Sequence, residues 1–265
     1  MTLFSSESLA LTYNPSTHRN GWEQVKLYQQ TQRYPDDWGG MQVASRINAD
    51  NEQPFEGISR SNVRAWVEGD SMPDAARAVE TAEKLGWLSE EWTPTTRAFS
   101  QLVAGIFACG SVEVRGWVPG WAATNSREII LASLKQIGVG YRTVDRDTVS
   151  QADELRPAKY ASILGRALVV AGAPLGDKNA NNVKRLPDWL SVAPPSVRAS
   201  FAELLVVERG SKRPSKATLA IQANRSRQYF EDVRDLLEDV TGESVTASDA
   251  GVTISADAVR ALGLA

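Results

Sequence analysis

The 265-residue chain repeats itself at a spacing of 100 residues. Gly110-Ser111 recurs as Gly210-Ser211, Ala123 as Ala223, and Ser126-Arg127 as Ser226-Arg227. Apolar Ile130 and Ile137 fall opposite Phe230 and Leu237. Few identities survive at this offset, but the order of expected elements also recurs: an apolar helix, Gly-Ser, strands, Ser-Arg, a second helix. The chain therefore reads as an α+β protein whose larger part is a duplicated unit with internal pseudo-twofold symmetry.

Composition narrows the classes. A hydrophobic fraction of 42% is enough to bury a core. No run of 18 apolar residues exists, and the opening "MTLFSSESLALTYNPSTHRNG" lacks a signal-peptide layout, so a cytoplasmic protein without membrane contact is expected. One cysteine, Cys109, excludes an internal disulfide. One histidine, His18, argues against His-rich metal sites and a Ser-His-Asp triad. No metal site or cofactor is expected.

Charge is unevenly spread. Residues 1–95 hold 8 Lys/Arg against 14 Asp/Glu, while residues 96–265 hold 21 against 18. The densest run, "RGSKRPSKATLAIQANRSR" at 209–227, has six basic residues and no acidic one. Its alternation with Ala, Leu and Ile predicts a strand pair with one basic face.

Helical spacing predicts helices over 21–34, 38–50, 58–69 and 72–88, after a first twenty residues that read as weakly ordered or strand-like. "SEEWTPT" reads as a linker, which sets a first domain at 1–92 and a second at 93–265. In the second, "TRAFSQLVAGIFACG" is a helix, "SVEVRGWVPGWAAT" a hairpin turning at Pro119-Gly120, and "SREIILASLKQIGV" a helix. Two short strands and a helix follow, closing a first repeat at about 93–173. A linker at about 174–194 leads to a second repeat at about 195–265.

The stretch "ASRINADNEQPFEGISRSNVRAWVEG" resembles a helix-turn-helix unit. Ser59 is a good N-cap, and Val63 and Trp66 face inward. Ser59, Arg60, Ser61, Asn62 and Arg64 project outward. These side chains reach phosphates and base edges in a DNA major groove.

The helices "LVAGIFACGSV" and "FAELLVVERGSK", with the intervening "LGDKNANNVKRLPDWLSVAPPSV", resemble a degenerate LAGLIDADG homing endonuclease domain over residues 96–265. The resemblance implies two αββαββα repeats whose signature helices pack side by side through small residues, here Ala104, Gly105 and Ala108, with Ala202 and a bulkier Leu204 in the second. It implies two sheets laid along duplex DNA, and a carboxylate before each glycine to hold divalent metal for phosphodiester cleavage. Here those positions are Cys109 and Arg209, so the catalytic acids are missing. Glu208 and Glu113 lie nearby but displaced along the motif.

The basic positions persist. The resemblance implies DNA contact at Arg115, Arg127, Arg142, Arg146 and Lys159 in the first repeat. In the second it implies contact at Lys212, Arg213, Lys216, Arg225 and Arg227, together with Arg209. A bacterial sporulation regulator of this family also joins a degenerate domain to a helix-turn-helix. The expected function is thus sequence-specific binding of double-stranded DNA without cleavage, by a monomeric prokaryotic transcription regulator. Two alternatives remain: an active homing endonuclease using Glu208 or Glu113, and a protein-interaction scaffold.

Overall fold

The computed structural model describes residues 3–13, 19–50, 55, 57–69, 71–145, 153–212 and 217–264. His18, Arg146, Arg213 and Lys216 lie outside these residues. The chain divides into two compact units, one spanning Phe4–Lys84 and one comprising Leu85–Ala265 with Met1–Leu3.

The first unit is all helical among its described residues: α1 (Ser6–Ala10), α2 (Gly21–Thr31), α3 (Gly40–Ala49), α4 (Arg60–Val67) and α5 (Asp74–Lys84). The expectation of a strand-like start is corrected by α1. Ser5 caps it by accepting from the Ser8 N–H at 3.1 Å, while Ser8 Oγ accepts from the Ser5 N–H. That reciprocal pair satisfies end donors that a short helix otherwise leaves open. Two apolar clusters hold the unit. One joins Leu27, Val43, Ile47, Phe55, Ile58 and Val63, the other Val25, Tyr28, Ala75, Ala76 and Val79. Trp66 packs against both, so the inward face of α4 ties the two clusters together.

The second unit mixes helices with two antiparallel sheets of four strands each. Its first run is α6 (Pro94–Ala108), β1 (Gly110–Val112), β2 (Pro119–Trp121), α7 (Arg127–Gln136), β3 (Tyr141–Val144), β4 (Glu154–Pro157) and α8 (Ala161–Val170). After a 3-10 turn at Asp188–Val192 come α9 (Pro195–Arg209), β5 (Gly210–Lys212), β6 (Leu219–Gln222), α10 (Arg227–Thr241), β7 (Val245–Ser248), β8 (Gly251–Ile254) and α11 (Ala256–Ala261). Strand order is β1-β2-β4-β3 in one sheet and β5-β6-β8-β7 in the other. Gly110 and Gly210 open β1 and β5, and Ser126 and Ser226 are the N-caps of α7 and α10.

The helices α6 and α9 pack side by side in the same direction. Arg97 in the first turn of α6 donates to Ser196 Oγ at 2.7 Å, and Phe107 lies 6.2 Å from Phe201 between ring centres. Aromatic contacts continue from Trp92 through Trp189, Phe201, Phe107 and Tyr229 to Phe230. Such rings bury much apolar area per residue, and the buried indoles find acceptors. Trp87 donates to Ile137 O at 2.9 Å, Trp189 to Ala171 O at 2.8 Å.

Two local expectations are corrected. The β1–β2 turn occupies residues 113–118, where the Glu113 N–H donates to Val118 O and the Trp117 N–H to Glu113 O. Pro119 and Gly120 lie inside β2 instead. Proline tolerates the first position of a strand, and Gly120 has no space for a side chain because Glu154 lies across it. The second correction concerns Gly105. A Cβ there would meet Ile130 Cδ1 at 2.7 Å and Trp121 Cδ1 at 2.8 Å, so its smallness serves contact with α7 and β2. Among the described residues, no helix is long and apolar enough to cross a membrane.

Candidate nucleic-acid interface

In the first unit, α4 is held against α3 by three polar ties. Asn48, near the end of α3, clamps Ile58 by donating to its carbonyl at 2.7 Å and accepting its N–H at 2.8 Å. Glu68, just beyond α4, accepts from the Gly40 N–H at the start of α3 at 3.0 Å. The same carboxylate pairs with Arg60 at 2.7 Å and Arg64 at 3.0 Å. Hydrogen bonding from Arg60, then from the Gly40 amide, holds the Glu68 carboxyl down at about 2.

Val63 is fully buried, while Ser59, Arg60, Ser61, Asn62 and Arg64 are exposed, the placement their spacing implied. Ser59 is the N-cap, and its N–H donates to Asn62 Oδ1 at 2.8 Å. Ten residues, 50–59, separate α3 from α4, a longer connection than the three or four residues usual in a helix-turn-helix.

In the second unit the named basic residues scatter. Arg115 is exposed on the β1–β2 turn, and Lys159 is exposed between β4 and α8. Arg127 begins α7 and reaches Thr143 Oγ1 at 3.3 Å. Arg142 is exposed on β3, directly opposite Arg156 of β4. Arg156 was not singled out from sequence, because a lone Arg beside Pro157 gives no sign of its cross-strand partner. It pairs with buried Glu154 at 2.9 Å.

The run 209–227 does not form one basic strand face among its described residues. Arg209 is the last residue of α9, and Lys212 ends β5 opposite Leu219. Arg225 is buried, donating to the carbonyls of Lys178 and Asn224. Arg227 opens α10 and pairs with Glu231 at 2.9 Å and Asp249 at 3.3 Å. One cross-strand row of this sheet holds Ser211, Ala220, Thr253 and Thr246, none of them charged, with Ala220 buried. Helix ends and a buried turn took Arg209, Arg227 and Arg225, which leaves Lys212 as the basic residue on a described strand of this run.

Where α6 and α9 end, Cys109, Glu208, Arg209, Lys178 and Arg225 influence one another. The Cys109 thiol is pushed up to about 12 by burial and by the nearby Glu208 carboxylate. It stays protonated near neutral pH and offers no thiolate. Lys178 donates from Nζ to Ile106 O at 2.8 Å, and burial followed by Arg209 and Arg225 brings its ammonium down to about 7.

Glu208 Oε1 accepts N–H bonds from Asn125 at 2.8 Å and Ser126 at 2.5 Å, while Asn125 Nδ2 donates to Val207 O at 3.1 Å. Glu208 thus anchors the entry to α7, whose N-cap Ser126 makes no side-chain cap of its own. These residues do not fit a divalent metal. The hard oxygen ligands that Mg²⁺ needs are replaced by a thiol and cations, and the remaining carboxylate already accepts two amides. Glu113 is exposed on the β1–β2 turn. Among the described residues no three His, Cys, Asp or Glu side chains gather to hold a metal ion.

Sequence reasoning missed Lys178. It stands in the Asn- and Gly-containing stretch between α8 and α9, and nothing local signals that this stretch folds back beneath two helix ends. No family model and no curated protein matches the chain.

Proposed function

We propose that this protein binds double-stranded DNA sequence-specifically, as a monomer, and does not cut it, acting as a cytoplasmic transcription regulator. On this reading Leu85–Ala265 is a pseudo-twofold pair of αββαββα repeats descended from a LAGLIDADG endonuclease, and α4 presents a helix-turn-helix face. The observation that carries it is the ending of α6 and α9. The two helices run parallel into matching strands, and their ends present Cys109 and Arg209 beside Lys178 and Arg225. A scaffold of that kind with cations in place of paired carboxylates favours holding a phosphate backbone over hydrolysing it. The recurring element order and matching strand orders support the duplication.

Contact residues on this reading include Ser59, Arg60, Ser61, Asn62 and Arg64 on α4, and Arg115, Arg142 and Lys159 around the first sheet. The test selects bound fragments from a random duplex library, then incubates the selected DNA with protein and Mg²⁺ or Mn²⁺. Specific enrichment without strand breaks is expected. Specific nicking abolished by Glu208→Gln would establish the endonuclease reading instead, and no enrichment at any salt concentration would remove the DNA reading.

A further inference from the structure

Three cations from separate parts of the second unit converge below the ends of α6 and α9. Lys178 arrives from the α8–α9 connection, Arg209 from the last residue of α9, and Arg225 from the segment between β6 and α10. The hydrogen-bond acceptors found for Lys178 and Arg225 are main-chain carbonyls: Ile106 O, Lys178 O and Asn224 O. Carbonyls accept hydrogen bonds but carry no net charge. The other titratable groups in reach are Cys109 from the end of α6, Glu208 from α9 and Tyr229 from α10. Burial keeps the Cys109 thiol and the Tyr229 phenol protonated, each pushed up to about 12. Glu208 is engaged with the Asn125 and Ser126 amides.

Beside Cys109, the Ser126 side chain is 1% exposed, and its Oγ makes no hydrogen bond of normal geometry. Arg225 is buried and Lys178 half-buried beside it, and cations so withdrawn from water with so little counter-charge are costly unless an anion completes the group.

Building on the DNA-binding reading, we propose that this cluster is an oxyanion site that takes a backbone phosphodiester of the bound duplex between the ends of α6 and α9. Lys178 and Arg225 form its fixed wall, and exposed Arg209 forms its mouth. Guanidinium and ammonium groups suit this ligand, because charge-assisted bonds to phosphate oxygens are among the stronger ones. Burial first, and then the like charges of Arg209 and Arg225, bring Lys178 down to about 7 before the anion arrives. A bound oxyanion favours the ammonium and moves that midpoint upward.

The experiment follows the Lys178 side-chain resonance by NMR across pH 5 to 10 in the full chain, assigned with Lys178→Met. The probes are chloride alone, added sulfate (which does not titrate in this range), and a short random-sequence DNA duplex at low salt. An upward move of about one pH unit with sulfate and with duplex is expected, equivalent to tenfold coupling. Lys178→Met should lower the salt slope of duplex binding by about one. Lys178→Arg, charged at every pH, should keep the slope and lose the proton uptake that accompanies binding near pH 8. Duplex binding with an unmoved Lys178 midpoint and an unchanged slope in Lys178→Met would overturn the site and leave the DNA reading standing. A midpoint moved by sulfate in a protein that binds no duplex would overturn the phosphodiester assignment together with the DNA reading. Thermal melts of both variants establish that they fold.

Discussion

Gly105 shows how a residue can be noticed for one reason and needed for another. The resemblance made it a small residue at a helix–helix contact. In the structure its missing side chain makes room for Trp121 and Ile130, both fully buried. Trp121 also donates to Leu102 O at 3.3 Å, so its ring cannot swing away without losing a buried bond. Gly105→Ala is therefore expected to destabilise the chain by about 1–3 kcal/mol through overpacking, despite alanine's better helix propensity. Urea unfolding followed at the Leu85–Ala265 transition checks this, and an unchanged or raised midpoint contradicts it. Cys109 was legible as the chain's one cysteine, set at the end of a helix. Its high thiol position was not, because burial and the Glu208 charge come from tertiary packing.

Among the elements, α4 depends on a carboxylate outside it. Glu68 joins Arg60, Arg64 and the Gly40 amide, so one side chain both neutralises the face of α4 and ties it to α3. Its folded position, about 2, lies below the ordinary 4.5. The sign follows: the unfolded chain binds this proton more readily, so the contribution is complete above about pH 4.5 and is lost as pH falls through about 2. Glu68→Gln is expected to melt below the parent at pH 7, with the gap closing as pH falls from 4.5 toward 2. Circular dichroism melts across that range check it. A gap that stays constant to pH 2 would show that shape rather than charge is at stake. Period and caps made most helices readable, including α4 with its Ser59 N-cap. The β1–β2 hairpin was misplaced because Pro-Gly is a strong turn signal locally, while strand pairing with Val112 and the approach of Glu154 place both residues in β2.

For the whole molecule, the DNA reading makes Phe4–Lys84 and Leu85–Ala265 linked binding modules. Removing residues 1–84 is expected to weaken duplex binding by tenfold or more without abolishing it, because the second engagement is intramolecular in the full chain. Binding isotherms of the full and shortened chains on one selected duplex measure this. Full retention of affinity by the shortened chain would assign no DNA contact to the first unit. Sedimentation of the complex is expected to give one chain per duplex. Two chains on a short strict palindrome would contradict internal pseudo-symmetry as the source of the site's length.

The sequence alone determined most of the element types and the recurrence at 100 residues. These depend on near neighbours in the chain: helical period, N-caps and glycine punctuation. Tertiary structure decided which charges stay available. Arg225 and Arg227 come from the same basic run, yet one is buried against the Lys178 carbonyl and the other is paired with Glu231 and Asp249. Lys178 and Glu208 meet the ends of α6 and α7 from sequence distances of 72 and 82 residues. Electrostatic energy depends on separation in space and on burial. Neither quantity is carried by the local pattern of residues, so the cationic centre exists only once the two helices have packed.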